Sequence, residues 1–133
     1  MAETALSIAR EKAASRRIDA DFVVADALHL ERLGRVFETV LDCGLFHTFD
    51  SDERRDYVAG LASVTRRGGH LYVLCFSDVG PGISGPHPIS QEELRAAFKR
   101  SGGWSVASVG PERIQTRFDA QGVPAWLATL NRI

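Results

Sequence analysis

Cysteine is scarce in this chain, and the little that is present does not form a pattern. Cys43 and Cys75 are the only two, and neither belongs to a CxxC pair or lies at metal-ligand spacing from a histidine. This excludes a disulfide framework and a structural zinc site from the expected features, and no metal site is predicted. Both cysteines lie in apolar runs, so the sequence predicts two buried, reduced thiols.

The chain also lacks an excess of either charge. Its formal net charge is −1, and its arginine pairs are scattered beside acids. A nucleic-acid partner would require a basic face, so none is expected. Long apolar runs are absent as well, and no stretch approaches the ~20 residues of a membrane span. Residues 1–17 lack the apolar region of a signal peptide, which favours a cytoplasmic protein without a membrane partner.

Several nucleophile and phosphate motifs are missing: no G-x-S-x-G, P-loop or HExxH is found. Gly80–Gly85 does match GxGxxG after an apolar run, which would suggest an NAD(P)-dependent reductase. We reject that motif because Pro81 removes an amide and the next helix begins only at Ser90. No acid ends the next strand some ~20 residues on, where a ribose partner belongs.

What is present is an alternation of helices and strands within one domain, residues 1–133. A small-residue stripe predicts a helix over 3–16 packed closely on a sheet, and Phe22–Ala25 resembles a strand buried on both faces. Further predicted elements are a turn at 28–33, strands at 36–41, 70–76, 104–109 (with 113–118 as an extension) and 125–130, and helices at 50–67 and 90–100. Gly68–Gly69 is predicted to end the first of these two helices. The order predicts an α/β fold with helices on both faces and a closing antiparallel hairpin.

Three segments carry a resemblance to a known family. Asp21–Ala27, Thr39–His47 and Arg67–Val73 resemble a class I, Rossmann-like S-adenosylmethionine-dependent methyltransferase. The resemblance implies methyl transfer from S-adenosylmethionine to a small-molecule acceptor. It assigns the cofactor to Asp26, Ala27, Leu28, Asp42, Cys43, Gly44 and Leu45. It assigns the acceptor to Phe46, Ser77 and Asp78, the last two opening a substrate-facing loop that extends to Ile89.

Two of these positions have a second interpretation. Asp26 would accept a hydrogen bond from the adenine amino group, but it would equally cap the turn that starts at Ala27. His47 is the candidate general base near neutral pH, yet a lone histidine after a strand is often a hydrogen-bonded structural residue. Many transfer enzymes need orientation alone.

Two parts of the family pattern have no counterpart in the sequence. They are the Gly-rich turn after the family's first strand and the acid that holds the cofactor ribose. We therefore expect a sheet that is truncated at its N-terminal side, either because the natural protein is short or because the sequence is incomplete. The Phe22 strand would then pair with the Val36 strand, or two copies would associate as a homodimer. The alternative function is a non-catalytic, dimerising relic of the fold without tight cofactor binding.

Overall fold

The computed structural model describes residues 2–79, 87–117 and 119–133. The α-helices of this part are α1 (Ala2–Ser15), α2 (Ser51–Val64) and α3 (Gln91–Ala97). Its strands are β1 (Phe37–Cys43), β2 (Thr65–Phe76), β3 (Trp104–Ile114) and β4 (Val123–Arg132). Short 3-10 helices cover Ala27–Leu33, Phe46–Thr48 and Arg100–Gly102. None of the described helices is long and apolar enough to cross a membrane.

The four described strands form one mixed sheet in the order β1-β2-β4-β3. β1 and β2 are parallel, whereas β4 is antiparallel to both of its neighbours. The predicted closing hairpin is therefore confirmed as β3 and β4, and the predicted α/β Rossmann-like class is confirmed with it. The parallel pair places the carboxyl ends of β1 and β2 side by side, which is where this architecture binds ligands.

The core lies between one face of the sheet and the helices α2 and α3. Leu71, Val73 and Cys75 alternate along β2 and are fully buried. Leu61 of α2 and Leu94 of α3 pack into the same cluster. The opposite face of β2 is only partly covered, as the intermediate burial of the alternate residues shows. α2 and α3 thus cover a single face of the sheet in the described chain.

Helix α2 begins where the sequence predicts, with Asp50 as its N-cap. The Asp50 carboxylate accepts a hydrogen bond from the Glu53 amide at 2.9 Å, and the Glu53 carboxylate accepts one from the Asp50 amide at 3.1 Å. This reciprocal capping box satisfies two amides that the first helical turn leaves free. Ser90 caps α3 with its hydroxyl oxygen, which accepts a hydrogen bond from the Glu93 amide at 3.0 Å.

The N-terminal part of the fold differs from the expectation. Phe22–Ala25 is not a strand, because it pairs with no described backbone, and Val23 and Val24 are exposed. An extended segment becomes a strand only where a neighbour accepts and donates its hydrogen bonds. The prediction that it pairs with the next strand is therefore wrong. Helix α1 has no buried residue, so its small-residue stripe does not pack on the sheet as predicted.

Two further corrections concern glycine and cysteine. Gly68–Gly69 lies inside β2 and does not end α2, because Thr65 is already extended and pairs with Phe37. A Cβ at Gly69 would meet the Glu38 carbonyl oxygen at 2.6 Å, so glycine is needed there for close strand approach. Cys75 is buried as predicted, but Cys43 is exposed, so the prediction of a buried thiol is wrong for Cys43.

Candidate functional site

Most of the predicted site residues lie at the carboxyl ends of β1 and β2. Asp42 and Cys43 end β1, the 3-10 helix Phe46–Thr48 follows at once, and Ser77 comes directly after β2. We call residues 42–47 the β1 loop. Its amino-terminal part is tied to β2 by the hydrogen bond from the Gly44 amide to the Leu74 carbonyl oxygen, at 2.9 Å.

The carboxylate of Asp42 organises this loop. Its Oδ1 accepts a hydrogen bond from the Leu45 amide at 2.9 Å, and its Oδ2 accepts one from the Phe46 amide at 3.0 Å. Oδ2 also accepts a hydrogen bond from the Tyr57 hydroxyl of α2 at 2.9 Å. The predicted cofactor residue Asp42 is 4% exposed, so its carboxylate faces the backbone of the loop and not the protein surface.

Burial and hydrogen bonding act in opposite directions on Asp42. Burial raises the pKa of its carboxyl group above the ordinary value and outweighs the lowering effect of the amides, the Tyr57 hydroxyl and His47. No described arginine or lysine forms an ion pair with it. The charge is therefore held by N–H and O–H dipoles alone, which makes each donor important.

Gly44 leaves the loop surface open to close approach. Its φ of 85° lies in the left-handed region that favours glycine. Among the described residues, a Cβ built there would have one atom within 4 Å, the His47 Cε1 atom at 3.8 Å. Cys43 and Leu45 on either side are exposed, so the surface of the loop is formed by Cys43–Leu45.

His47 is buried against β2. Its Nδ1 accepts a hydrogen bond from the Phe76 amide at 3.0 Å, and its ring stacks on the Phe76 ring at 4.3 Å between centroids. Burial lowers the pKa of the imidazole, against the opposing effect of Asp42. The ring is thus neutral near pH 7, and this hydrogen bond assigns its proton to Nε2.

A neutral ring of this tautomer limits what His47 can do. Its proton-accepting nitrogen is already used by a backbone amide, and the other nitrogen is a donor. The role of general base stays a prediction, and the geometry favours the structural alternative. His47 then positions the β1 loop on β2 and offers one N–H group.

Phe46 does not face a ligand as the resemblance implies. Its ring is fully buried, stacks on Phe98 at 5.7 Å between centroids, and carries the Arg54 guanidinium 5.0 Å above it. The 3-10 helix turns this side chain inward, so it supports the loop from the core. The prediction that the Phe46 ring contacts the acceptor is therefore corrected: the ring supports the loop from inside the core.

Ser77 and Asp78 lie beside the β1 loop but differ in access. Ser77 is buried and pairs with Ile89 in a parallel bridge, and its hydroxyl exchanges hydrogen bonds of 3.3 Å with the Val79 backbone. Asp78 is exposed, with its amide donating to the Ile89 carbonyl oxygen at 3.0 Å. The two ends of the predicted substrate-facing loop are thus held together by the pairing of Ser77 with Ile89. Gly80–Gly85 lies outside the described residues.

Asp26, Ala27 and Leu28 form a separate part of the candidate site. Asp26 caps the 3-10 helix, its Oδ1 accepting from the Leu28 amide at 2.9 Å. Its Oδ2 and the Ala27 amide have no hydrogen-bond partner within the described residues, which leaves one acceptor and one donor side by side. No described hydrogen bond joins this pair to the β1 loop.

Sequence reasoning missed two residues of the site. Tyr57 was placed only within the predicted helix 50–67, and Phe76 only at the end of the predicted strand 70–76. Tyr57 could have been found because a buried phenol needs a hydrogen-bond partner. The Phe76 amide carried no such signal, since backbone pairing at a strand end depends on the tertiary fold. No group of three or more possible metal ligands occurs in residues 2–79, 87–117 and 119–133.

Comparisons with known proteins agree with this geometry. A family profile described as a methyltransferase domain matches residues 1–69. The 2-heptyl-1-hydroxyquinolin-4(1H)-one methyltransferase of Mycobacteroides abscessus is 31% identical over 121 residues, covering 89% of this chain and 52% of that protein. The chain thus spans about half the length of this curated relative.

Solved structures give the same result. A structure from work on the conversion of a disulfide bond into a thioacetal group during echinomycin biosynthesis superposes with a TM-score of 0.81 at 32% identity, over 97% of this chain and 62% of that one. The Burkholderia thailandensis 1,6-didemethyltoxoflavin-N1-methyltransferase, bound to 1,6-didemethyltoxoflavin and S-adenosylhomocysteine, has a TM-score of 0.62 at 20% identity, over 84% of this chain and 50% of that one. With a matched profile over half its length and a curated relative above 30% identity, this chain belongs to the methyltransferase domain family and has the class I S-adenosylmethionine-dependent methyltransferase fold.

Proposed function

We propose that this chain acts in S-adenosylmethionine-dependent methyl transfer to a small heteroaromatic acceptor. The observation that carries the proposal is the 31% identity, along 89% of the chain, to a methyltransferase of a hydroxyquinolinone. The toxoflavin N1-methyltransferase, which shares the fold, acts on another heterocycle and is compatible with the same acceptor class. S-adenosylmethionine supplies the methyl group in this chemistry, and the chain's own residues bind and orient the two molecules.

The free groups at Asp26 and Ala27 fit one edge of an adenine ring. Oδ2 of Asp26 would accept from the exocyclic amino group, while the Ala27 amide would donate to the neighbouring ring nitrogen. Leu28, beside them, packs partly against the core and fixes the start of the 3-10 helix. Capping and adenine recognition are compatible, because they use different oxygens of one carboxylate.

The exposed surface of the β1 loop fits the rest of the cofactor. Gly44 admits close backbone approach, and Cys43 and Leu45 flank it, so we assign this surface to the methionine end. Asp42 holds the loop from below. On the acceptor side we assign Asp78, the exposed residue after β2, with Ser77 fixing its backbone.

Calorimetric titration with S-adenosylhomocysteine tests the cofactor assignment. Asp26→Asn keeps an oxygen to cap the Leu28 amide but presents an NH₂ group where adenine needs an acceptor. Losing a hydrogen bond to a charged group costs about 1.5–3 kcal/mol, so we expect ~10–100-fold weaker binding. Asp50→Asn, the same change at the cap of α2, is the matched control and should leave the affinity unchanged.

Two results would contradict the assignment. Equal affinities for the wild type and Asp26→Asn would remove adenine recognition from this residue. No heat at millimolar ligand, from a chain that circular dichroism shows to be folded, would mean that this chain does not bind the cofactor. Methylation of a hydroxyquinolinone, followed by mass spectrometry, tests the acceptor class directly.

The second candidate function is that of a non-catalytic, dimerising module, and the edge of the sheet favours it. β1 pairs with β2 on one side only within the described chain, and Leu41 in this strand is 69% exposed. An unpaired edge with apolar side chains recruits another strand. We propose a homodimer through this edge, which is compatible with either function.

Light scattering over a concentration series tests the homodimer. The wild type should have twice the monomer mass, and Leu41→Lys should shift it to the monomer because a charge opposes edge pairing. Val79→Lys alters an exposed valine that is not part of β1 and serves as the control. A wild type that stays monomeric at all concentrations would reject the proposal. The cytoplasmic location and the absence of nucleic-acid and membrane partners remain predictions of the sequence.

A further inference from the structure

The hydroxyl of Tyr57 connects helix α2 to the proposed cofactor loop. It donates to Asp42 Oδ2 at 2.9 Å, and the residue is 3% exposed. The same oxygen accepts from the Phe46 amide, and Oδ1 accepts from the Leu45 amide. One side chain of α2 is thus a single hydrogen bond away from the carboxylate that holds two amides of the β1 loop.

The surroundings of Asp42 make this hydrogen bond hard to replace. The ionisable groups that face it are His47 from the loop, Cys75 from β2 and Tyr57 from α2. His47 is neutral, with its Nδ1 occupied, and burial and the charge of Asp42 raise the pKa of the Cys75 thiol to about 12. The nearby cation, Arg54, lies over the Phe46 ring and pairs with Glu93 at 3.4 Å.

We propose that Tyr57 is a positioning residue of the methyltransferase site: through Asp42, its hydroxyl sets the backbone of Gly44, Leu45 and Phe46 for the cofactor. This deepens the proposed function and rests on its assignment of the β1 loop to S-adenosylmethionine. Tyr57 touches no reacting atom in this role. It acts through a carboxylate that could otherwise turn away from the loop or take up a proton.

Removal of the hydroxyl has two consequences. Asp42 loses the donor that opposes its burial, so its carboxyl group protonates at a higher pH than in the wild type. A protonated carboxyl has one oxygen fewer to accept, so the Leu45 and Phe46 amides are held less well. The effect therefore grows as the pH falls, which a simple packing defect would not do.

Tyr57→Phe removes only this oxygen, and Tyr72→Phe is the matched control, since Tyr72 on β2 makes no described side-chain hydrogen bond. We expect the Leu45 and Phe46 amides to exchange with deuterium about tenfold faster in Tyr57→Phe than in the wild type, with a ratio that rises as the pH falls, and at the wild-type rate in Tyr72→Phe. Exchange is followed by NMR on the whole chain and requires no ligand. S-adenosylhomocysteine should bind roughly tenfold more weakly to Tyr57→Phe, in step with the faster exchange.

A double-mutant cycle distinguishes an effect of Tyr57 through Asp42 from a general folding defect. In an Asp42→Asn background the acceptor no longer titrates, so any further exchange that Tyr57→Phe causes should show no pH dependence. Unchanged amide exchange in Tyr57→Phe would overturn the proposal, as would faster exchange with unaltered S-adenosylhomocysteine affinity. Faster exchange in a chain whose wild type binds no S-adenosylhomocysteine would reject the cofactor function and keep the loop-holding role of Tyr57.

Discussion

Gly44 permits a test in which backbone strain and ligand access can be separated. Its φ is 85°, and the nearest atom to a methyl group added at its Cα would be His47 Cε1 at 3.8 Å. Alanine at this position therefore meets no clash with the residues that the structure describes, and the cost expected from them is that of the left-handed backbone. That cost is about 1–2 kcal/mol. For a chain of this length it corresponds to a fall of roughly 4–7 °C in Tm.

Gly34 provides a matched control. It ends the 3-10 helix Ala27–Leu33 with a φ of 63°, and no atom of the described residues lies within 4 Å of a built Cβ. Gly34→Ala should lose the same ~1–2 kcal/mol in urea unfolding, since the strain has the same origin. Only Gly44→Ala should also weaken S-adenosylhomocysteine binding, because its methyl group enters the space assigned to the ligand.

A third variant completes the experiment. Asparagine tolerates the left-handed region better than alanine, so Gly44→Asn should cost less stability yet weaken binding at least as much. Urea midpoints by tryptophan fluorescence and calorimetric affinities provide the two readouts. If both alanine variants unfold at the wild-type midpoint, the positive φ values are not maintained in solution and the reasoning is wrong. If Gly44→Asn binds normally, the ligand does not approach Gly44.

Three further outcomes are expected. Burial holds the folded pKa of His47 below its ordinary 6.5, so the unfolded chain binds more protons just below that pH, and the free energy of unfolding should decrease as the pH is lowered there. His47→Asn, whose oxygen can still accept from the Phe76 amide, should flatten this slope as measured by urea unfolding. A thiol reagent at pH 8 should modify the exposed Cys43 rapidly and the buried Cys75 only after unfolding, so two fast thiols would contradict the fold. Asp50→Ala should cost about 1 kcal/mol in urea unfolding, and a loss near zero would mean that the capping box is not formed.

The parts of the fold that could be predicted are those with local signals. The capping box at Asp50 and the strand at Trp104–Val109 each follow from neighbouring residues, and both appear in the structure, although a register shift between Val106 and Ser108 interrupts the alternation of the strand. Phe22–Ala25 has the local composition of a strand as well, but strand formation depends on a partner that composition cannot supply. The local sequence pattern thus predicted a strand correctly where a neighbouring strand is available to pair with it, and wrongly at Phe22–Ala25, where no described strand is.

The candidate site was predictable as a location but not as a set of contacts. Strand ends of a parallel sheet directed attention to Asp42 and His47, and both lie there. Which oxygen accepts from which amide depends on how the 3-10 helix Phe46–Thr48 turns, and that turn places the Phe46 ring in the core. A distant side chain such as Tyr57 enters the network only through packing of α2, which no short motif encodes.

The position of β4 has a consequence for how the protein is made. β4 follows β3 along the chain yet lies between β2 and β3, so Leu71 pairs with Leu130. Until residues beyond 122 have left the ribosome, β3 lacks the strand with which it pairs in the described sheet, and β2 can pair only with β1. The apolar residues of β2 therefore lack their β4 neighbour while residues 77–122 are being synthesised. Chaperone contact during translation should concentrate on this strand and end abruptly once β4 is added.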